Sequence, residues 1–167
     1  IGAHFTPQDP PVQPVGWIIL WSVVVAFWVF SALFFIKKKR FLDSLHFVDR
    51  HGIVVGWKKP EYSVSQEAFE EQIEELIAKM LPKYPACAQA MSGCLVYFVE
   101  PTWFEGAPGF VARKVAGIQD GRFIYVGWRE VLGASALQHE LAHRVLQVYE
   151  GDPNEAVAHD MMSRMGI

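Results

Sequence analysis

Apolar and polar positions change pattern sharply along the chain. Residues 15–36 are 22 positions without a charge. As a helix rising 1.5 Å per residue they reach about 33 Å, enough to cross a hydrocarbon core of roughly 30 Å. Trp17 and Trp21 stand near one end, where indoles favour the headgroup layer. Lys37-Lys38-Lys39-Arg40 follows the other end at once. The run is too long for the apolar stretch of a signal peptide and lacks its small-residue cleavage site. It predicts a transmembrane helix.

Beyond the run the periodicity becomes that of a folded domain. Residues 41–47 either prolong the helix or lie along the membrane surface. Residues 52–57 (GIVVGW) read as a short strand and 60–65 as a turn. Ser65 is placed to cap a helix that continues to about Leu81. Phe69, Ile73, Leu76, Ile77 and Met80 form its apolar stripe, Glu70, Glu71, Glu74 and Glu75 its solvated face, and Pro82 its stop. Residues 94–99 (CLVYFV) read as a buried strand, and 101–109 as a loop. Two strands, 110–118 and 122–128, flank Gln119-Asp120-Gly121, where Asp-Gly is a hairpin signal. A helix follows over 134–149, with Leu137, Leu141, Val145 and Val148 as its apolar stripe. Gly151 breaks it, and Asp152-Pro153 restarts a helix with Asp152 as N-cap. The expected fold class is α+β: one transmembrane helix, then a small domain with a short, mainly antiparallel sheet and helices against one face.

Charge position divides the chain further. The total is −3 over 167 residues, which argues against a nucleic-acid partner. Half the residues (51%) are apolar, so the chain can bury a core rather than stay disordered. Cys87 and Cys94, the two cysteines, provide no disulfide framework and no Cys-x-x-Cys pair. The four basic residues of the collar are retained on the cytoplasmic side, and the Pro-rich segment before the span has none. Residues 1–14 are therefore expected outside as an extended tail, 15–36 in the bilayer, 37–64 as collar and juxtamembrane connector, and 65–167 as a cytoplasmic domain. Ile1 in place of Met leaves room for a preceding segment. His46 and His51, near the collar, are expected to meet headgroups or solvent.

One motif carries chemistry. His139-Glu140-Leu141-Ala142-His143 is HExxH inside a predicted helix. A spacing of four puts both imidazoles on one face, one turn apart, where they can share a Zn2+ ion. Glu140 sits about 100° around the same helix, placed to act as general base and then acid. No nucleophile elbow, P-loop or dinucleotide fingerprint competes with this motif.

With these residues the chain resembles the zincin metallopeptidases over about residues 110–165. The resemblance implies an HExxH helix packed under a small sheet, an edge strand that binds substrate, and a third protein ligand from downstream. The metzincin extension needs Gly and His where Leu146 and Tyr149 stand. The thermolysin-like Asn-Glu-x-x-x-Asp pattern is approached by Asn154-Glu155 and Asp160, with Asp160 one residue late. Folding 134–165 into a helical hairpin near Gly151 sets residue 159 opposite 143 and residue 155 opposite 147. His159 is thereby favoured as third ligand, with Glu155 as the alternative. Glu155 also stands at the capping-box position after Asp152. A Gly-Asp segment before a final His is similar to small His-ligated zincins. Asp160 or Asp152 would orient an imidazole from outside the ligand set. Arg144, Tyr149 and Tyr125 are the residues available for an oxyanion, none of them singled out by pattern. The strand 122–128 is available for pairing with an extended peptide.

The expectation is a single-pass membrane-anchored zinc metallopeptidase, with the bilayer and a protein or peptide substrate as partners. Two alternatives stand beside it. One is a non-catalytic structural or assembly subunit of a larger membrane complex or lipid-containing particle that keeps the zinc site. The other is a cell-wall peptide hydrolase of opposite topology.

Overall fold

The protein is described by a computed structural model, over residues 14–100, 117–127 and 135–167. The tail up to residue 13, the expected loop 101–109, most of the strand expected over 110–118, Trp128 and the start of the helix at Ala134 lie outside the described residues.

The N-terminal unit is a single helix, α1 (Pro14–Leu42). Among the described residues it is the one helix long and apolar enough to cross a membrane. It runs through the basic collar, so Lys39 and Arg40 lie in its last turn, where cations favour the helix dipole.

Residues 43–167 form a second compact unit. Its strands are β1 (Leu45–Val48), β2 (Val54–Trp57), β3 (Leu95–Val99), β4 (Gly117–Asp120) and β5 (Phe123–Gly127). They make one sheet in the order β1-β2-β3-β5-β4. The outer pairs, β1 with β2 and β4 with β5, are antiparallel, and the inner pairs, β2 with β3 and β3 with β5, are parallel. The sheet is thus mixed rather than mainly antiparallel. The reason lies between β2 and β3, where α2 (Gln66–Met80) and α3 (Cys87–Met91) give the chain length to cross over and return in the same direction. The short helix α3 has no counterpart in the sequence pattern. The strand expected over 52–57 is β2, whereas β1 falls where the sequence reads as helix or membrane-surface segment.

Side-chain alternation gives the sheet an inner face. Val55, Val96 and Ile124 align across three strands, as do Phe98 and Val126 across two, and all five are buried. The helices α2, α4 (Ser135–Glu150) and α5 (Glu155–Arg164) join them in one apolar cluster. Ser65 caps α2 by accepting from the Ala68 amide at 3.2 Å. Phe69, Ile73, Leu76 and Met80 follow at helical spacing and are fully buried. Each such side chain contributes roughly 1.5–3 kcal/mol.

The acidic face of α2 is not simply solvated. Arg50 Nη2 lies 2.6 Å from Glu70 Oε2, and His51 Nε2 lies 2.8 Å from Glu74 Oε1. These pairs fasten the β1–β2 turn to α2. His46 stacks on Trp57 with ring centroids 3.5 Å apart. Both histidines therefore have partners within the domain.

Candidate metal centre

Helix α4 is held from several sides. It packs against β4, β5, α2, α3 and α5. Leu137, Leu141, Ala142, Val145 and Leu146 are its buried apolar positions. Val148, expected on that stripe, is 48% exposed, because Ala142 and Leu146 broaden the core face in its place. His139 and His143 flank this face, each half-buried.

The chain reverses after α4 at Gly151 and Asp152, with φ of 69° and 65°. Two left-handed residues in succession make the turn tight, and Asp tolerates that conformation better than most. For that reason Asp152 is not the N-cap of α5. The cap is Asn154, in extended conformation, whose Oδ1 accepts from the Val157 amide at 3.1 Å. Glu155 is then the first residue of α5 and leaves the expected capping-box position. Ala158 and Met162 bury one side of α5.

This arrangement brings His159 to the two histidines of α4. One ligand nitrogen from each of His139, His143 and His159 lies within 4.8 Å of the others. The Nε2 atoms of His139 and His143 are 3.2 Å apart. The His159 ring centroid stands 4.9 Å from that of His139 and 5.3 Å from that of His143. Glu155 is not in this donor group. It acts at a distance: its charge raises Glu140 and opposes the lowering of His139 and His143.

Burial sets the protonation states. Desolvation is the main influence that lowers His139 and His143 below the ordinary histidine value, with neighbouring imidazoles adding to it. Neutral imidazoles are the form that binds metal. The donor set suits zinc: Zn–N bonds of about 2.0–2.1 Å in a tetrahedron place nitrogens about 3.3 Å apart, close to the observed His139–His143 spacing. Glu140, mostly buried, is pushed up to about 7 by desolvation first and by Glu155 second.

The remaining predicted residues fall elsewhere. Asp160 pairs with Arg164 at 2.7 Å in an exposed i,i+4 contact. Asp152 reaches the site through its charge, which acts on His143. Arg144 Nη1 donates to Gln147 Oε1 at 3.0 Å, and the guanidinium also acts on Cys94. Tyr149 Oη accepts from the Ala86 amide at 3.0 Å. Tyr125 lies between the inward-facing Ile124 and Val126, so it points to the opposite face of the sheet, edge-on to Tyr97. Strand β5, expected to pair with a peptide, is flanked on both sides by β3 and β4 and has no edge to offer. The outer strand beside it is β4.

Two contacts dock β4 on α4, and neither was visible in the sequence pattern. Gln119 Nε2 donates to Gln147 Oε1 at 2.9 Å. Gly117, two residues earlier on the same face, lies against the side chain of Glu140. The available signal was a glycine in a strand pattern, which marks a close approach.

Comparison with protein-family models, curated proteins and solved structures finds no match for this chain.

Proposed function

We propose that the protein is a single-pass membrane-anchored zinc metallopeptidase of zincin type. The observation that carries this reading is the convergence of His139, His143 and His159, with Glu140 next to His139 in the HExxH sequence of α4. A metal site with no catalytic task needs the three imidazoles but not the half-buried Glu140. Zinc bound there would supply Lewis-acid chemistry, polarising a peptide carbonyl and acidifying water.

The chain's own groups do the rest. Glu140, close to neutral pH in its proton affinity, takes a proton from the attacking water and delivers it to the leaving amine. The half-buried His139 and His143 stay uncharged and available as ligands, and His159 closes the set from α5. Strand β4, outermost among the described strands and packed on α4, supplies backbone groups for an extended substrate. The basic collar retains residues 43–167 on the cytoplasmic side, so substrates are polypeptides at or near that membrane face.

The test uses the full chain in detergent with a degenerate peptide library read by mass spectrometry. Cleavage that stops with a zinc chelator and returns with added zinc supports the proposal. Cleavage indifferent to chelation, or none with zinc loaded, contradicts it.

A further inference from the structure

Glu140 is held by the absence of a side chain on its neighbour. A Cβ built on Gly117 would lie 2.6 Å from Glu140 Cγ, 2.9 Å from Oε1 and 3.1 Å from Cδ. At Gly52, Gly56 and Gly93 the added atom would meet a hydroxyl, backbone and leucine, or a guanidinium instead of a carboxylate. Yet Gly117 needs no special backbone: its φ lies outside the left-handed region, and any residue could adopt it. Conformational freedom therefore does not explain the glycine. Space for Glu140 does.

The register that creates this contact is fixed on both sides. Gly117 pairs with Val126 and Gln119 with Ile124, so both β4 residues share the inward face with two core side chains. Gln119 reaches Gln147 on α4, two turns beyond Glu140. A slip of β4 by one residue would turn Gly117 outward and bring Ile118 against α4.

We infer that Gly117 is a positioning residue that sets the χ1 rotamer of Glu140. The closest approach is to Cγ, whose place is fixed by χ1 alone. A displaced carboxylate tip could be absorbed by rotation further out, but a displaced Cγ cannot. In a helix a long side chain has essentially two χ1 wells, so relief of the contact moves the whole carboxylate to the other one. The catalytic consequence rests on the peptidase reading; the coupling between residues 117 and 140 does not.

A double-mutant cycle separates the two. The full chain in detergent is prepared as wild type, Gly117→Ala, Glu140→Ala and the double variant, and melting temperature and zinc content are measured. Gly117→Ala is expected to lower the melting temperature by about 5 °C in the wild-type background, as overpacking does. In the Glu140→Ala background, where Cγ is gone, it is expected to change little. Zinc should stay near one per chain throughout. An equal loss in both backgrounds, including failure of both proteins carrying Gly117→Ala to fold, overturns the inference. With peptide substrate, Gly117→Ala is expected to lower kcat about 10–100-fold at unchanged KM. An unchanged kcat alongside a clear coupling overturns the catalytic role of the contact. A wild type that cleaves nothing removes the peptidase reading and leaves the melting-temperature cycle as the judge of Gly117.

Discussion

The imidazole of His159 stands 4.9 Å from that of His139, although the two belong to different helices joined by a left-handed turn. That turn makes the histidine cluster a property of the α4–α5 pair rather than of α4 alone. Ala158 and Met162 fasten α5 to the core, and Asn154 caps it, so the third imidazole arrives at the level of the first two.

Removing that imidazole should therefore cost the metal. In the full chain, His159→Ala is expected to weaken zinc binding by more than the roughly 10–100-fold typical of losing a ligand's supporting partner. Glu155→Gln, which removes a nearby charge and no donor, should keep about one zinc per chain. Competition with a chelating dye reads both. Retained affinity in the first and loss in the second would move the third ligand to Glu155.

Acid should release the metal and remove the two histidines' contribution to the apo fold. The folded state holds His139 and His143 below the ordinary histidine value, so it binds their protons more weakly than the unfolded chain does. Stability tied to them is present above about pH 6.5 and is lost as pH falls through the folded values. The expected result is full zinc occupancy at pH 7 and, in a Glu140→Gln background that removes the opposing contribution of the raised Glu140 carboxyl, a falling melting temperature of the apo protein below about pH 6.5. A variant with all three histidines changed to Ala should lack that acid limb.

The alkaline side has a different origin. Tyr84 Oη donates to Glu150 Oε1 at 2.9 Å, and burial, aided by that carboxylate, pushes the phenol up to about 12. A raised value favours the protonated folded form. Its contribution is complete below about pH 10 and lost as pH rises toward 12. Tyr84→Phe should remove most of this alkaline limb and cost about 1 kcal/mol at neutral pH, by denaturant titration.

Orientation can be read from single cysteines. Both native cysteines are buried, so a membrane-impermeant maleimide should report on introduced ones. Gln8→Cys is expected to label in intact cells and the exposed Ser163→Cys only after lysis. The reverse pattern would place the metal centre outside.

Helical features were the most legible. Periodicity marked α2 with its Ser65 cap, and the spacing of His139 and His143 marked one face of α4. The hairpin count favoured His159, and the structure groups His159 with His139 and His143. The cap of α5 was misplaced by two residues, since Asp152 and Asn154 are both good capping types and the φ of 65° at Asp152 leaves no local trace. Sheet order was not legible. Whether β5 or β4 ends the sheet depends on β3 inserting beside β5, a long-range pairing that alternation along one strand does not encode. The role of Gly117 was hidden for the same reason: it exists only against Glu140.

The most direct test sets zinc content beside peptide cleavage in Glu140→Gln. This change removes the proton carrier and leaves all three imidazoles in place. The account predicts about one zinc per chain and a fall in kcat of roughly 100-fold or more relative to wild type. Cleavage at the wild-type rate with zinc in place would contradict it.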